Sequence, residues 1–212
     1  VKIFGNEILE LKYYWFKKFK LGNINLLISR TGWSSEFGYE MFLLKTSDGD
    51  ELYETLMQEG KELGLHPGHT STIRRIEGGM LSYHSDMDIN TNPFELGLDK
   101  FIDLEKSFDF VGKDALIKIK KLGIQRKQVG LIIECEKLKG PNTKKWGIFK
   151  NQQRIGQVTS AVYSPRLEQN IALAMVDIEY SDINTSLKIK IDDNLVDAKI
   201  TVKPFFDPNK LI

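Results

Sequence analysis

Residues 146–164, WGIFKNQQRIGQVTSAVYS, contain two strand-like runs separated by the turn signal KNQQ. Further short strand-like runs flank this stretch on both sides, and turn signals such as GPN and IDDN lie between them. Short strands joined by turns are typical of a small antiparallel barrel or sandwich. The sequence therefore predicts a C-terminal β-barrel domain over residues 124–212, with a domain boundary near residues 123–127.

The region before this boundary alternates between strand-like and helix-like patterns, so we expect an α+β fold with residues 1–123 as the first domain. Asp50 is the expected N-cap of the first helix and Gly64 its C-cap. The pair Gly78–Gly79 falls in the middle of the second predicted helix. Strands are predicted over 23–30, 39–44 and the end of 92–104, and helices over 50–64, 71–83 and 111–123.

The composition excludes several classes of protein. The formal net charge is +1 with scattered basic residues, so we expect no nucleic-acid partner. No apolar run approaches the roughly 20 residues of a membrane span, and no signal peptide is recognisable, so we expect a cytoplasmic protein without a membrane partner. Cys135 is the only cysteine. We interpret it as a buried structural thiol rather than a nucleophile.

Metal and nucleotide motifs are weak or missing. The segment DMDIN (86–90) alternates carboxylates like a calcium loop, but Thr91 and Gly97 stand where that loop needs glycine and glutamate. His66 and His69 are separated by Pro67 and Gly68, which break any helix that would align them. We therefore expect no metal site, and the common hydrolase, phosphate-binding and dinucleotide-binding motifs do not occur.

The stretch SRTGWSSEFGYE (29–40) is different, because it gathers aromatic rings and a carboxylate where one strand turns into the next. Trp33, Gly38, Tyr39 and Glu40 in this arrangement indicate a site for a flat heterocycle. The alternative is that Trp33 and Tyr39 are core aromatics and Glu40 is a surface strand residue.

This stretch resembles the R-T-G-Y-T-G-E-x-G-F-E motif of the glycine-cleavage T-protein superfamily. Three further stretches resemble motifs of the same family, in the same order: RIEGGMLSYHSDMDINTNPFELGL, FVGKDAL and RIGQVTSAVYSPRLEQNIALAMV. The resemblance extends from residue 29 almost to the C-terminus. It implies the family fold, in which three parts surround a central channel that binds folate. This chain, beginning at Val1, would hold the C-terminal portion of that fold and lack its N-terminal half.

Members of the family transfer one-carbon units to or from tetrahydrofolate, so the resemblance implies that cofactor here. The last glutamate of the motif, Glu40 in this chain, would accept the amino group and ring N–H of the pterin in a bidentate arrangement. Trp33 stands where the T-protein has tyrosine and would cover the ring or line the cavity. Tyr83 would help to line the cavity. We expect Arg75 and Glu77 to form a structural ion pair.

Within the family, the sequence most resembles the dimethylsulfoniopropionate demethylase branch. Ser71 replaces an arginine that contacts folate in the T-protein proper, which argues against the glycine-cleavage version of the reaction. The positions that agree with the demethylase branch are Lys12, Tyr13, Tyr14, Phe16, Trp33, Arg75, Ile76, Glu77, Ser82, Tyr83, Asp86, Asn92, Pro93, Phe94 and Glu95.

This branch gives a possible role to the cluster YYWF (13–16). Aromatic faces attract a dimethylsulfonium or methylammonium cation, so Tyr13 and Trp15 are candidate substrate-binding residues. The alternative is a strand whose aromatics alternate into the core, since at most two of the four share one face of a strand.

The expected function is a tetrahydrofolate-dependent demethylase that acts on a small-molecule methyl donor such as a sulfonium. Two alternatives stay open: aminomethyl transfer from a glycine- or sarcosine-derived donor, and a folate-binding module without turnover. The expected partners are the small-molecule donor and a possible second copy of the chain.

Overall fold

The computed structural model describes residues 1–207. Residues 1–71 form one compact unit and a second unit begins at Thr72. The first contains β1 (Phe16–Leu21), β2 (Ile24–Ser29), β3 (Glu40–Leu43) and α1 (Gly49–Gly60). The second contains α2 (Thr72–Glu77), α3 (Lys113–Leu122), β4 (Arg126–Glu134), β5 (Trp146–Lys150), β6 (Gln153–Ser164), β7 (Gln169–Asp177), β8 (Ser186–Ile191) and β9 (Asn194–Thr201). Short 3-10 turns lie at Asn6–Glu10, Thr46–Asp48, Lys61–Leu63, Asp99–Phe101 and Ile178–Tyr180.

In the first unit, β1, β2 and β3 form an antiparallel three-stranded sheet in that order. Its core consists of side chains that alternate along the strands and face α1 and the N-terminal 3-10 turn. The fully or nearly fully buried members are Ile8, Leu11, Phe19, Ile24, Leu26, Ile28 and Leu52. Burial of each large aliphatic side chain stabilises the unit by roughly 1.5–3 kcal/mol, which outweighs the weak propensity of isolated short strands.

The predicted helix over 50–64 exists, but its boundaries differ. The N-cap is Asp48, and Asp50 lies within the first turn, where its negative charge favours the positive end of the helix dipole. The α-helix ends at Gly60 and continues as a 3-10 turn. Gly64 terminates that turn in the left-handed conformation, φ +74°, as expected of a C-terminal glycine.

The helix predicted over 71–83 is wrong in length, because α2 ends at Glu77. Gly79 is left-handed, with φ +66°, and its N–H donates to the Ile76 carbonyl while the Met80 N–H donates to the Arg75 carbonyl. These two bonds form the Schellman motif that closes a helix. The Gly78–Gly79 pair therefore ends the helix. The strand expected at the end of 92–104 is also wrong, since a 3-10 turn occupies Asp99–Phe101.

The predicted antiparallel barrel is confirmed, and so is the α+β class. Six strands close in the order β4-β7-β6-β5-β8-β9, so the sandwich alternative does not apply. Asn151 and Gln152, both with positive φ, form the two-residue turn between β5 and β6, as the KNQQ signal predicts. The interior is filled by Val129, Leu131, Ile133, Trp146, Ile148, Ile155, Val158, Ala161, Ala172, Ala174, Val176, Leu187, Ile189, Ala198 and Ile200.

Helix α2 packs on the outside of the barrel in the second unit. Its Ile76 is fully buried against Val162, Ile171 and Leu173 of β6 and β7. Helix α3 ends before Gly123 as predicted. The domain boundary near 123–127 stays a prediction, although β4 does begin at Arg126. Within residues 1–207, no helix has both the length and the apolar character that crossing a membrane requires.

Candidate functional site

The stretch 29–40 connects the end of β2 to the start of β3. Ser29 is the last residue of β2 and pairs directly with Glu40, the first residue of β3. The residues between them form a loop that leaves the sheet at Ser29 and re-enters it at Glu40, directly opposite Ser29. The strand register therefore places the Glu40 carboxylate beside the beginning of its own loop.

Thr31 holds the Glu40 carboxylate. The Thr31 hydroxyl donates to Oε2 of Glu40, and the Ser29 and Thr31 hydroxyls are hydrogen-bonded to each other. Glu40 itself is exposed, whereas Ser29 is buried. The carboxylate is thus fixed from the protein side and presented to the outside of the unit.

Glu40 lies on the face of the sheet opposite the hydrophobic core, which we call the open face. We define the open face by Phe16, Lys18, Leu27, Ser29, Glu40 and Phe42. Phe16, Ser29 and Glu40 form one row across the three strands, and Lys18, Leu27 and Phe42 form the next. Phe16 and Phe42 are 70% and 52% exposed. The open face therefore combines a carboxylate with accessible aromatic surface.

Arg30 organises the loop between Thr31 and Gly38. Its guanidinium lies 3.7 Å from the centre of the Phe37 ring and 5.5–5.6 Å from those of Tyr39 and Tyr13. Its Nη1 donates to the Gly38 carbonyl at 3.2 Å. A cation over several rings is attracted by each, so Arg30 ties the loop to its aromatic surroundings.

Tyr13 and Trp15, the candidate substrate-binding residues, already have cations of the chain beside their rings. Arg30 neighbours Tyr13, and the Lys12 ammonium lies 5.1 Å from the centre of the Trp15 ring. All four residues of the YYWF cluster are exposed, and only Phe16 belongs to a strand. The alternative that these aromatics alternate into the core is therefore wrong for this structure. Contact of Tyr13 and Trp15 with a substrate stays a prediction.

The two aromatics of the motif have different environments. Tyr39 packs against the core of the first unit, and its hydroxyl donates to the Ile8 carbonyl at 3.0 Å. It is therefore a structural aromatic, as the alternative interpretation held. Trp33 is 41% exposed in the loop, where a ring can still contact a ligand.

Tyr83 belongs to the second unit. It is exposed in the turn after α2, and its ring meets that of His84 edge-on with centroids 4.5 Å apart. The turn is held from within by Asp86, whose Oδ2 accepts the Ser82 N–H at 2.9 Å. Tyr83 thus lies on a turn that is hydrogen-bonded from within, with its side chain accessible.

Beneath this turn lies a buried polar network. Asp86 pairs with Arg75 at 2.9 Å and accepts the hydroxyls of Ser160 and Thr159 at 2.7 and 2.6 Å. Arg75 also donates to Ser160 at 2.8 Å. A buried ion pair survives only when its remaining polar atoms find hydrogen bonds, as they do here.

The expected ion pair between Arg75 and Glu77 is wrong. Glu77 pairs instead with Arg74 at 2.9 Å and accepts the Ser164 hydroxyl at 2.5 Å. Residues two apart on a helix point to different sides, which explains why Arg75 and Glu77 find separate partners.

The remaining reactive groups fit structural roles. Burial raises the pKa of the Cys135 thiol, with a smaller contribution from Glu136, so the nucleophilic thiolate is disfavoured. The amide of Asn170 approaches its sulfur at 3.4 Å. In the part of the chain that the structure describes, no three acidic, histidine or cysteine side chains are grouped as a metal site would require.

Sequence reasoning missed Thr31, Phe16 and Phe42 as members of this site. The period of two along a strand would have placed Phe42 on the same face as Glu40. Placing Phe16 and Thr31 beside Glu40 requires the register of three strands and the path of the loop, which no local sequence pattern provides.

Comparison with known proteins gives matches along most of the chain. The family model described as the GCVT N-terminal domain matches residues 4–106, and that of the glycine cleavage T-protein C-terminal barrel domain matches residues 126–207. The aminomethyltransferase of Pseudothermotoga lettingae is 34% identical over 208 residues, covering 97% of this chain and 56% of that protein. The dimethylsulfoniopropionate demethylase DmdA of Ruegeria pomeroyi is 30% identical over 205 residues, covering 97% and 55%.

A solved structure supports the fold. The crystal structure of the glycine cleavage system aminomethyltransferase T from Bartonella henselae matches with a TM-score of 0.77 and 21% identity, over 94% of this chain and 54% of that one. The chain thus spans about half the length of the curated relatives it matches.

Proposed function

The chain belongs to the glycine cleavage T-protein family, and from this premise we propose that the protein transfers a one-carbon unit to or from tetrahydrofolate. The observation that supports the proposal most directly is the Glu40 carboxylate, fixed by Thr31 on the open face beside the exposed rings of Phe16 and Phe42. A pterin carries adjacent N–H donors on a flat ring. The two oxygens of the Glu40 carboxylate can accept both N–H groups, and the neighbouring aromatic side chains can contact the ring.

Glu40 would anchor the ring through two charge-assisted hydrogen bonds. The exposed ring of Trp33 would pack against the flat face of the ligand. Tetrahydrofolate supplies the nitrogen that accepts or releases the one-carbon unit. This role requires no nucleophile from the protein, which agrees with the disfavoured thiolate of Cys135.

For the donor, we propose a sulfonium such as dimethylsulfoniopropionate. The carbon–sulfur bond would break as the carbon–nitrogen bond forms, the sulfur would leave as a neutral thioether, and the nitrogen would lose its proton to solvent. Because the positive charge of the donor is lost, a pocket of low polarity favours the transition state over the ground state. The similarity to DmdA supports this donor.

The second candidate is aminomethyl transfer from a glycine- or sarcosine-derived donor. Its support is the similarity to several aminomethyltransferases, which reaches 34% identity. Ser71, in place of the arginine that contacts folate in the T-protein proper, argues against the glycine-cleavage version of this reaction. A folate-binding module without turnover is the third candidate, since the chain covers about half of each relative.

All three candidates require that the protein binds tetrahydrofolate. Calorimetry tests this binding on this chain and on the protein extended upstream to the length of its relatives. We expect binding by the extended protein and at least tenfold weaker binding by its Glu40→Gln variant, because the neutral amide cannot accept two N–H groups as an ionised carboxylate does. The matched control is Glu54→Gln, an exposed carboxylate of α1. Unchanged affinity in Glu40→Gln would overturn the proposal.

Turnover then separates the candidates. The extended protein is supplied with dimethylsulfoniopropionate, sarcosine or dimethylglycine, and 5-methyltetrahydrofolate is measured by chromatography together with other one-carbon folates. Methyl transfer from the sulfonium alone supports the demethylase. Product from the amines alone supports the second candidate, and binding without any product supports the third.

A further inference from the structure

We propose that Thr31 is a positioning residue for Glu40: its hydroxyl, backed by that of Ser29, sets the plane of the carboxylate that receives the pterin. The inference rests on the proposed function and deepens it.

The direction of the hydrogen bonds is fixed by chemistry. An ionised carboxylate only accepts, so the single hydroxyl proton of Thr31 points to Oε2 of Glu40. The Ser29 hydroxyl therefore donates to the Thr31 oxygen in the hydrogen bond between the two hydroxyls. The result is a chain of two hydrogen bonds that runs from the buried Ser29 through Thr31 to the exposed Glu40.

With Thr31 bound to it, the Glu40 carboxylate still has the free acceptor positions that a bidentate ligand needs. A carboxylate has about four acceptor positions on its two oxygens, and Thr31 occupies one of those on Oε2. Oε1 and the second position of Oε2 remain for two N–H groups. Thr31 thus restrains the rotation of the carboxylate without competing for the ligand, which lowers the ordering cost of binding.

The strand register makes Thr31 suitable for this role. Ser29 pairs with Glu40 across β2 and β3, so a residue just beyond the end of β2 comes close to the start of β3. Threonine is branched at Cβ and has few rotamers, which holds its hydroxyl more firmly than serine would. Valine has the same shape and lacks the hydroxyl, and it therefore isolates the hydrogen bond.

The test compares Thr31→Val, Thr31→Ser and Glu40→Gln in the extended protein, by calorimetry with tetrahydrofolate and with an analogue that lacks the 2-amino group. We expect Thr31→Val to weaken tetrahydrofolate binding about tenfold, as for loss of a hydrogen bond to a charged group. Thr31→Ser should restore most of the affinity. The analogue makes one hydrogen bond to the carboxylate, so its affinity should change much less.

The controls separate positioning from folding and from the function itself. Thr46→Val, at an exposed threonine of the same unit, should leave both affinities unchanged. Equal weakening of both ligands by Thr31→Val, together with a lower melting temperature, would show a merely structural role. If Glu40→Gln weakens tetrahydrofolate binding and Thr31→Val does not, the positioning role of Thr31 is contradicted and the proposed function stands. If neither variant weakens binding, both are contradicted.

Discussion

The Arg75 guanidinium donates to the Asp86 carboxylate at 2.9 Å, and both side chains are almost completely removed from solvent. Ser160 joins the two groups by bonding to both. Since α2 carries Arg75 and β6 carries Ser160, this network ties the helix and its following turn to the barrel.

Replacement of Arg75 by methionine should destabilise the protein by about 3–5 kcal/mol, because it leaves the Asp86 charge buried without its counter-ion. The free energy of unfolding in urea measures this loss. The matched control is Lys188→Met, which removes an exposed ion pair to Asp197. That change should cost less than about 1 kcal/mol. Equal losses in the two variants would contradict a special role for the buried pair.

Gly156 is a position where a side chain should not fit. A Cβ at Gly156 would lie 2.3 Å from the Met175 carbonyl oxygen and 2.8 Å from the Val176 Cα, both backbone atoms of the paired strand β7. Gly156→Ala should therefore lower the melting temperature by several degrees, since overpacking of this kind costs at least about 1–3 kcal/mol. A Cβ added at Gly140 would meet no atom of residues 1–207 within 4 Å, and Gly140→Ala should leave the melting temperature nearly unchanged.

Lys203 should give the protein a measurable dependence of stability on pH. Burial lowers its pKa to about 8, from 10.5, against a smaller opposing effect of Asp86. Between these values the unfolded chain binds more protons than the folded one, so this group makes the free energy of unfolding rise with pH. Below pH 8 both states are protonated and the contribution is constant.

The measurement is urea unfolding of the wild-type protein and Lys203→Met from pH 7 to pH 10.5. The difference in free energy of unfolding, wild type minus variant, should increase above pH 8. Loss of the hydrogen bond from Lys203 to the Gln128 side chain shifts this difference by a constant and leaves its slope unaffected. A flat difference would contradict the lowered pKa.

Arg30 should control the mobility of the loop that carries Trp33. Arg30→Met removes the stacking on Phe37 and the hydrogen bond to Gly38, so amide hydrogens of residues 32–38 should exchange several-fold faster. Hydrogen exchange followed by mass spectrometry reports this directly. Lys20→Met, at an exposed position of β1, is the control. Equal exchange in both variants would show that the loop is held by other contacts.

Local patterns predicted much of the secondary structure. The turn at Asn151 and Gln152 follows from residues that tolerate positive φ, and the end of α3 at Gly123 follows from the glycine itself. The errors are also local in origin. The sequence pattern places two neighbouring glycines inside a helix that Gly79 in fact terminates. It also predicts Asp50 as the N-cap, whereas the N-cap is Asp48, two residues earlier.

The candidate site was predictable only in part. Glu40 and Trp33 stand out because a motif brings them together within a few residues. The location of Glu40 on the open face, the hydroxyl of Thr31 behind it and the neighbouring ring of Phe16 depend on how β1, β2 and β3 align. The cation beside Tyr13 likewise comes from Arg30, which pairs with this segment through backbone hydrogen bonds of Tyr14 and Trp15.

The sequence by itself determined the class of fold, the C-terminal barrel and the carboxylate of the proposed site, because strand periodicity, turn residues and short motifs act between near neighbours in the chain. Only the tertiary structure decided the partners of the buried charges. Arg75 could have paired with any nearby carboxylate. In the structure it pairs with Asp86, and Ser160 of β6, 85 residues away from Arg75, bonds to both. Burial removes water as an alternative partner, so the charges bind whichever groups the fold brings within reach.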